Sequence, residues 1–306
     1  MKIINHAELF PTSLVQPILD IFNKSIVWLT NDSVIVFLCG RAVQSSDPKQ
    51  YTARQVLMEY LQKHFNDFNY FLAEDVFKDL KDNQRDLLSL EHDLAESSDC
   101  IIIILESAGA IAELGAFAMQ SEIVEKLIIV NENSFKNEPS FINVGPIAKT
   151  NKKSKYGSVI YADLNVIGLV GSQIGDRIKK VNAQSLRRKM ISGEESMNFD
   201  NWPKKDQILF IHDLIWFFYP VSKANLIVIF NSIFKITKIR ITTIIELLCA
   251  MKLVKKKDDY LISPCAEKLF IRYNNRHVLI RAKVLNHYHR NRKYFGKELD
   301  LLKNIQ

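Results

Sequence analysis

One stretch of the sequence, residues 100–117, constrains the fold more than any other. Four consecutive isoleucines at 101–104 form an apolar, β-branched run that is typical of a strand buried on both faces. A short turn at 106–109 follows, and a helix rich in small residues begins after it. Strand, tight turn and helix in this order form the unit in which α/β proteins bind ligands, outside the carboxyl end of the strand. The sequence therefore predicts an α/β fold with a ligand site at this turn.

The turn and the helix after it contain three candidate site residues. Ser107 can cap the helix through its hydroxyl group, and Gly109 allows a ligand to approach the backbone closely. The helix N-terminus favours a bound anion such as a phosphate. Glu113 stands among small and apolar residues, where an uncompensated carboxylate is costly. Two interpretations of Glu113 stay open: it faces solvent as an acid near the helix start, or it is held in place for chemistry.

Two other predicted strands end in candidate binding residues. Gly40 and Arg41 follow a buried strand at 33–39, and Glu74 and Asp75 lie at the end of a strand at 69–73. The carboxyl ends of parallel strands line the ligand crevice, so these residues are candidates for the same site. Arg41 can bind a phosphate or carboxylate bidentately, or it is an exposed loop charge. Glu74 and Asp75 can orient ribose hydroxyls, or they start a short helix at 76–80.

Predicted strands and helices alternate through the first half of the chain. The predicted strands are residues 33–39, 69–73, 101–104, 126–130 and 157–164. This alternation predicts an α/β fold with a doubly wound, Rossmann-like parallel sheet. We expect three parts: residues 1–170 as the α/β domain, which includes an N-terminal helical segment, 171–201 as a basic helix and linker, and 202–306 as a second domain.

Charge is distributed unevenly between the two halves. The chain of 306 residues has a formal net charge of +7. Residues 1–150 hold 12 basic and 21 acidic side chains, a net charge of −9, whereas 151–306 hold 29 basic and 13 acidic side chains, a net charge of +16. A strongly basic half favours a polyanionic partner, so we expect the second half to bind nucleic acid. The alternative is a basic domain that docks on another protein.

The second half has the pattern of a winged helix-turn-helix. Helices are expected at 204–219, 222–234 and 237–251, and the segment 253–262 alternates around a turn at 258–259 as a hairpin does. This predicts a mainly α, winged helix-turn-helix-like second domain. Its candidate nucleic-acid-binding residues are basic side chains of the recognition helix, the hairpin and the C-terminal segment, namely Lys238, Arg240, Lys255, Lys256, Lys257, Arg290 and Arg292.

Several classes of function are disfavoured by what the sequence lacks. There is no dinucleotide-binding glycine fingerprint and no phosphate loop, which argues against hydride transfer and ordinary nucleotide hydrolysis. The four cysteines have no metal-ligand spacing and fit a reducing compartment. No apolar run approaches the roughly 20 residues of a membrane helix. We expect a cytoplasmic protein that needs no metal and no cofactor.

The residues around the central stretch resemble a known enzyme family. Asp99, the apolar strand, Glu106-Ser107-Ala108-Gly109-Ala110 and Glu113 are similar to the signature of nucleoside 2-deoxyribosyltransferases. A longer set resembles the deoxyribosyltransferase-like toxin effectors that are encoded beside retron reverse transcriptases. This set comprises Phe37-Leu-Cys-Gly40, Ala73-Glu-Asp-Val-Phe-Lys-Asp-Leu80, Leu87-Leu-Ser-Leu-Glu91, Ala112-Glu-Leu-Gly-Ala-Phe117 and Ser140-Phe-Ile-Asn-Val-Gly-Pro146.

The resemblance implies roles for particular residues. It implies that Glu113 is the catalytic carboxylate at the anomeric carbon and that Asn143 belongs to a segment that closes over the site. It implies NAD or a related nucleotide as the substrate. Phe37 stands where the free deoxyribosyltransferases often use a sugar-orienting tyrosine, and the basic second half is an addition to them. Both departures favour a toxin over nucleobase exchange.

The resemblance also implies partners and a biological role. It predicts an anti-phage effector toxin that is held inactive by a retron reverse transcriptase and its multicopy single-stranded DNA and RNA, in an oligomer or a higher-order assembly without a membrane. Two alternatives stay open: a DNA-binding regulator whose nucleotide-binding domain only senses a ligand, and a nucleoside deoxyribosyltransferase. A sensor needs no carboxylate at an anomeric carbon, so Glu113 discriminates between the sensor and the enzyme.

Overall fold

The computed structural model divides the chain into two compact units. It describes residues 9–24, 27–29, 33–42, 47, 50–78, 87–185, 189–191, 199–234, 238–263, 269–271, 273 and 276–304. One unit, the α/β unit, is Asp32–Arg187. The other, the helical unit, combines Met1–Asn31 with Arg188–Gln306. The helical unit therefore contains both ends of the chain, and the α/β unit is an insertion in its sequence.

The first elements of the chain belong to the helical unit. Helix α1 (Thr12–Lys24) is followed by strand β1 (Val27–Leu29), which pairs antiparallel with a strand from the far side of the insertion. Phe10, just before α1, packs edge-on against Phe218 and Phe295 at centroid distances of 6.2 and 5.5 Å. The backbone oxygen of Leu9 lies 2.8 Å from Nε2 of His287. The N-terminal segment therefore packs on the C-terminal helices, although the sequence pattern predicted it as part of the α/β domain.

The α/β unit is built on a parallel sheet. Its strands are β2 (Val34–Cys39), β3 (Phe68–Phe71), β4 (Cys100–Ile104), β5 (Leu127–Glu132) and β6 (Ile160–Ala162). Their order in the sheet is β3–β2–β4–β5–β6, and every neighbouring pair is parallel. The predicted α/β fold with a parallel sheet is confirmed. The strands in the middle of the sheet are the apolar runs that the sequence marks most clearly, because both of their faces are buried.

Helices cover both faces of this sheet. They are α2 (Ala53–His64), α3 (Ala73–Phe77), α4 (Leu87–Ser97), α5 (Ala108–Met119), α6 (Ser121–Val124), α7 (Ala148–Lys153) and α8 (Gly171–Ser185). On one face, Val36 and Ile102 pack in a core with Leu57 of α2 and Ile174 of α8. On the other face, the ring of Phe37 contacts the ring of Phe117 of α5 at 6.3 Å. The sheet is therefore doubly wound.

The end of the α/β unit differs from the sequence-based domain border. Residues 171–201 were expected to form a basic helix and linker outside the α/β domain, but the helix, α8, packs on α2 within the α/β unit. Ile174 and Ile178, one helical turn apart, are completely buried. A Cβ atom on Gly171 would lie 2.2 Å from the ring of Tyr60, and one on Gly175 would lie 2.2 Å from the ring of Phe65. Close packing of this helix, rather than its charge, decides where it belongs.

Short helical turns lie between β5 and α7. Asn133–Phe135 forms a 3-10 turn, and Asn143–Ile147 forms a π-helical turn that leads into α7. A second 3-10 segment, Leu164–Val170, connects β6 to α8. The fifth strand is correspondingly shorter than the predicted 157–164.

The helical unit contains the expected helices and hairpin. After β7 (Lys189–Ile191), the partner of β1, come α9 (Lys204–Phe218), β8 (Val221–Ser222), α10 (Lys223–Ile233), α11 (Lys238–Ala250), β9 (Lys255–Lys257), β10 (Tyr260–Ile262), α12 (His277–Arg290) and α13 (Arg292–Lys303). Strands β9 and β10 form an antiparallel hairpin around Asp258, whose φ of 54° is left-handed. The three strands β8, β10 and β9 form a small antiparallel sheet with β9 at its edge. Within the described part of the chain, no helix is both long and apolar enough to cross a membrane.

Helix α9 is the centre of the helical unit. All of its residues from Asp206 to Phe218 are buried. Its last carbonyl groups are satisfied by α12, because Arg281 donates to the oxygen of Phe217 at 2.9 Å and the Tyr288 hydroxyl donates to that of Phe218 at 2.7 Å. A helix buried on all sides needs such partners, since water cannot reach its ends.

Candidate functional site

The order of the strands fixes where a ligand can bind in the α/β unit. The chain runs from β2 outward to β3 and then returns to the other side of β2 as β4. In open parallel sheets, the ligand crevice lies outside the carboxyl ends of the strands at such a reversal. Here Gly40 follows β2 and the turn at 106–109 follows β4, and Cys39 lies opposite Ile103 in the register of the two strands. The candidate residues of the two strand ends therefore come together at this edge.

Glu113 lies in the second turn of α5, beside the buried face of that helix. The Ser107 hydroxyl accepts a hydrogen bond from the backbone N–H of Ala110 at 3.2 Å, which confirms the predicted cap. Ala110, Leu114 and Phe117 are buried, and Glu113 is half-buried beside them. Its Oε2 atom is shielded from solvent and has no hydrogen-bond partner among the described residues. Glu113 is therefore not an exposed acid at a helix start, and its role in catalysis stays a prediction.

The surroundings of Glu113 favour its protonated form. Burial raises the pKa of Glu113 to about 7, and the negative charge of Glu91 adds to the increase. A hydrogen bond with the Cys39 thiol opposes this increase, and so does the positive charge of Arg54. Glu74 contributes a smaller increase. A carboxyl group that titrates near neutral pH can switch between acid and base in that range, which is typical of catalytic carboxyl groups.

Two neighbours of Glu113 are themselves perturbed. Burial raises the pKa of the Glu91 carboxyl group on α4, and the charge of Glu74 adds to this. The Cys39 thiol is buried at the end of β2, and burial followed by the charge of Glu113 raises its pKa well above the usual value. The thiol therefore stays protonated at neutral pH and acts as a hydrogen-bond donor.

Glu106, at the end of β4, occupies the N-terminus of α2. Its Oε2 accepts a hydrogen bond from the backbone N–H of Ala53 at 2.9 Å. Its Oε1 accepts hydrogen bonds from the backbone N–H groups of Arg54 and Arg41, both at 3.1 Å. A helix N-terminus is a general anion site, and here the anion is a carboxylate of the protein itself. The N-terminus of α2 is therefore already occupied by an anion of the protein itself.

Gly40 and Arg41 take part in the same arrangement. A Cβ atom on Gly40 would lie 2.9 Å from Oε1 of Glu106 and 3.2 Å from Cβ of Arg54, so the protein's own packing requires a glycine there. Arg41 is exposed, and its Nη2 donates to the backbone oxygen of Glu106 at 2.8 Å. This contact fixes one side of the guanidinium group. Binding of a substrate by either residue stays a prediction.

Glu74 and Asp75 lie in the first turn of α3. The helix begins at Ala73 rather than at 76, so both acids lie at the start of a helix, as one of the two alternatives predicted. The buried guanidinium group of Arg54 pairs with Glu74, with Nη1 at 3.2 Å from Oε2. Asp75 forms an exposed ion pair with Lys78 at 2.7 Å. Glu74 is thus connected to the cluster around Glu113, whereas the ion pair of Asp75 faces solvent.

Gly109 and Asn143 are the remaining predicted binding residues. Gly109 is exposed in the first turn of α5, and the nearest atom to a Cβ placed on it is Oγ of Ser107 at 3.9 Å. The side-chain amide of Asn143 donates to the oxygens of Phe135 and Glu138 at 2.7 and 2.8 Å, and its oxygen accepts from the Tyr161 hydroxyl at 3.3 Å. These contacts brace the segment before α7. Contact of Gly109 or Asn143 with a substrate stays a prediction.

Four residues of this site were not among the predicted binding residues: Cys39, Arg54, Glu91 and Glu106. Glu106 directly follows the central strand, so its position was a usable signal. Cys39 ends a buried strand, and the sequence gives no sign that its thiol meets a carboxyl group. Arg54 and Glu91 stand in ordinary helical patterns, and only the packing of their helices brings them to the sheet edge.

The predicted nucleic-acid-binding residues are spread over the helical unit. Lys255, Lys256 and Lys257 are exposed along the edge strand β9, and Lys256 also pairs with Glu246. Arg290 and Arg292 are exposed where α12 meets α13. The side chains of Lys238 and Arg240 lie outside the described residues, although both belong to α11. Binding of nucleic acid by any of them stays a prediction.

Comparison with known proteins identifies relatives of the whole chain. Residues 50–256 match the family model described as STM3845 retron effector protein. The chain is 35% identical over 221 residues to the Escherichia coli protein named "Retron Ec73 putative ribosyltransferase/DNA-binding protein", a match that covers 67% of this chain and 68% of the relative. It is 28% identical over 281 residues to the E. coli protein named "Retron Ec86 putative ribosyltransferase/DNA-binding protein", covering 87% and 89% of the two chains.

Proposed function

The chain belongs to the STM3845 retron effector family, and from this premise we propose that its α/β unit cleaves the N-glycosidic bond of NAD or a related nucleotide, with Glu113 as the catalytic carboxylate. The observation that carries the proposal is the state of Glu113. It is half-buried at the reversal point of a parallel sheet, one of its oxygens has no hydrogen-bond partner in the part of the chain that the structure describes, and its pKa is near neutral. The relatives' name, ribosyltransferase, describes chemistry at the same kind of bond.

The proposed reaction places negative charge beside a developing positive charge. When the bond between the anomeric carbon and the base breaks, the bonding electron pair leaves with the base and the sugar becomes oxocarbenium-like. Ionised Glu113 stabilises that carbon electrostatically or forms a bond to it. Nicotinamide is cationic in NAD and leaves as a neutral base, so it needs no proton from the enzyme. Water then adds to the sugar in hydrolysis, whereas a second base adds in transfer.

The turn before α5 provides for the phosphates of such a substrate. Its N-terminus is capped by Ser107, and Gly109 presents exposed backbone without a side chain. Glu106 occupies the N-terminus of α2, and Glu74 and Asp75 lie in the first turn of the short helix α3, so we assign the anion to the N-terminus of α5. Arg41 is exposed near the same turn and adds a positive charge.

We propose that the helical unit binds the retron's nucleic acid through a winged-helix arrangement. Two helices, α10 and α11, are followed by the β9–β10 hairpin, and the edge strand of this hairpin carries three exposed lysines, Lys255–Lys257. Such exposed cations release counterions from phosphates on binding. The relatives' name, DNA-binding protein, supports the assignment. In the resting state, the reverse transcriptase and its multicopy single-stranded DNA hold the effector inactive.

The decisive experiment compares NAD breakdown by wild type and Glu113→Gln. The purified proteins are incubated with NAD, and free nicotinamide and ADP-ribose are measured by chromatography; Glu122→Gln, an exposed acid on α6, is the matched control. We expect the Glu113→Gln rate to fall by roughly 10²–10⁴-fold, the range for a group that acts directly in bond cleavage. Equal rates for wild type and Glu113→Gln would refute the proposal. A base-exchanged dinucleotide in the presence of a second free base would identify transfer.

A cellular experiment tests the control by the partners. NAD is measured in cells that express the chain alone or with its neighbouring reverse transcriptase and that enzyme's template RNA. We expect NAD to fall only with intact Glu113 and to be protected by the partners. Unchanged NAD, together with DNA-dependent regulation that survives Glu113→Gln, would favour a ligand-sensing regulator.

A further inference from the structure

We propose that Cys39 is a positioning residue for Glu113: its buried thiol holds the Glu113 carboxyl group at the sheet edge through a hydrogen bond. In the proposed reaction Cys39 touches neither sugar nor base and acts only through Glu113. The catalytic part of this inference rests on the proposed function. The structural part, a thiol–carboxyl contact, stands without it.

The packing of strand β2 on helix α5 fixes this contact. Phe37 and Cys39 are two residues apart and point to the same face of the sheet. Phe37 meets Phe117 on α5, with ring centroids 6.3 Å apart. Two residues of a strand advance about 6.6 Å, and four residues of a helix advance about 6 Å. The helix is antiparallel to the strand. When Phe117 lies beside Phe37, Glu113, one helical turn earlier, therefore lies beside Cys39, two strand residues later.

The strand itself is held firmly. Phe37 stacks on Phe71 of β3 at 4.8 Å, and Cys39 lies opposite Ile103 of β4. Cys39 is 2% exposed, so its thiol has little choice of partner. The thiol therefore donates its hydrogen bond to the carboxyl group, and the strand limits how far that group can move.

The contact matters because the other neighbours of Glu113 are charged. Glu91 on α4 and Glu74 on α3 repel its carboxylate, and Arg54 on α2, which pairs with Glu74, attracts it. A neutral donor such as a thiol favours the carboxylate form without adding a charge that would compete with a cationic substrate. Removing the donor is expected to leave Glu113 more often protonated and less well oriented.

The chain offers a matched control. Cys100 is also a completely buried thiol at an end of a central strand, and it lies opposite Val36 at the other end of the sheet. Burial raises the pKa of the Cys100 thiol well above its usual value, and the charge of Asp99, rather than that of Glu113, adds to the increase. Cys39→Ala and Cys100→Ala therefore both remove a buried thiol from the same sheet, but only Cys39→Ala removes the partner of Glu113. Cys39→Ser keeps a donor and guards against loss of the fold.

The test that does not depend on activity is the titration of Glu113. Side-chain carboxyl carbons are labelled with ¹³C in glutamate, and the Glu113 signal is assigned by its loss in Glu113→Gln. Wild type is expected to titrate near 7. The midpoint should move upward in Cys39→Ala, because the thiol favours the charged form, and should stay at or below the wild-type value in Cys39→Ser and Cys100→Ala. An unmoved midpoint in folded Cys39→Ala would overturn the inference.

The activity test then separates positioning from general packing. We expect kcat on NAD to fall about ten- to a hundredfold in Cys39→Ala with little change in KM, the effect of losing a hydrogen bond to a charged group. Cys39→Ser should retain kcat within about threefold and Cys100→Ala should match wild type. Equal losses in Cys39→Ala and Cys100→Ala would mean a structural role only. If wild type itself shows no Glu113-dependent cleavage, the proposed function fails, while the titration still decides the contact.

Discussion

Two carboxyl groups, the fully buried Asp213 in the helical unit and the half-buried Glu113 in the α/β unit, differ in how their loss of hydration is compensated. Asp213 of α9 accepts hydrogen bonds from the backbone N–H groups of Phe270, at 3.0 and 3.1 Å, and Ile271, at 2.8 Å. It also contacts the ring of His212 at 3.2 Å. Glu113 has the thiol of Cys39 as a partner, and its Oε2 atom has no hydrogen-bond partner within the described ranges of the chain. Burial raises the pKa of both groups. The hydrogen bonds of Asp213 stabilise the fold, whereas the incompletely hydrogen-bonded carboxylate of Glu113 is expected to destabilise it.

The largest effect on stability is expected for Asp213→Leu. This apolar side chain removes both acceptor oxygens and leaves the buried backbone N–H groups of Phe270 and Ile271 without their partner, so we expect the helical unit to lose about 1–3 kcal/mol for each of the two donors. All three tryptophans, Trp28, Trp202 and Trp216, belong to this unit, so tryptophan fluorescence in a urea titration reports on it selectively. Asp300→Asn, on the exposed side of α13, is the control and should leave the midpoint unchanged. An equally small shift of the midpoint for Asp213→Leu would contradict the claim that Asp213 stabilises the helical unit.

Glu113→Gln is expected to change stability in the opposite direction, because it should make the α/β unit more stable at neutral and higher pH. The pKa of Glu113 rises from 4.5 to about 7 on folding, so the native state binds more protons than the unfolded chain between these values. Stability of the wild-type α/β unit should therefore fall as pH rises from about 4.5 to about 7 and then level off. We expect Glu113→Gln to be more stable than wild type at pH ~8 by about 3 kcal/mol, and to lose this advantage near pH ~5.

Urea titrations read by hydrogen exchange of peptides from β4 measure this difference. Glu122→Gln again serves as the control, since that side chain is exposed. A Glu113→Gln variant that is less stable than wild type at pH ~8 would show that Glu113, like Asp213, supports the fold.

Glu106→Gln tests whether hydrogen bonding distinguishes two acids, Glu106 and Glu113, at the same edge of the sheet. Glu106 and Glu113 are seven residues apart, but Glu106 accepts hydrogen bonds from three backbone N–H groups at the start of α2 and in the Gly40–Arg41 loop. An amide at this position can accept on one side only, so we expect a loss of about 1–3 kcal/mol in the α/β unit. The same exchange experiment measures it. If Glu106→Gln stabilised the unit instead, location at the edge, rather than hydrogen bonding, would decide the sign.

The smallest effects on stability are expected on the hairpin. Lys255→Ala and Lys257→Ala remove exposed side chains of an edge strand and should change stability by less than about 0.5 kcal/mol. Each should nevertheless weaken binding of single-stranded DNA and reduce the slope of log affinity against log salt by about 0.7. Lys303→Ala, an exposed cation paired with Asp300 on α13, is the control. Salt slopes that are the same for all three variants would exclude the hairpin as the phosphate-binding surface.

Much of the architecture could be predicted from local patterns. The run at 101–104 predicted the central strand because an uninterrupted series of β-branched side chains is typical of a strand that is buried on both faces. The structure has this strand, β4, at Cys100–Ile104. Ser107 was predicted as a cap because the capping hydrogen bond spans three residues and needs no tertiary contact. The hairpin at 253–262 was visible for a similar reason, since its register depends on a turn and on neighbouring residues.

The parts that could not be predicted depend on residues distant in sequence. The N-terminal segment joins the helical unit because Phe10 meets Phe218 and Phe295, more than 200 residues away. Gly40 is explained by crowding from Glu106 and Arg54, although the sequence offered it as a place for a ligand. Such requirements leave no periodic pattern in the chain.

Local patterns were enough to predict the α/β class, the central strand–turn–helix and the unusual position of Glu113, because alternation, capping and an isolated acid among small residues involve neighbouring residues only. The environment of that acid depends on the assembled fold. The hydrogen-bond donors that other strands and helices bring to a carboxyl group decide whether each of its oxygens has a partner. Cys39 from β2, Glu91 from α4 and Arg54 from α2 converge on Glu113 only when the sheet is assembled, and their burial and charge then set its pKa near neutral.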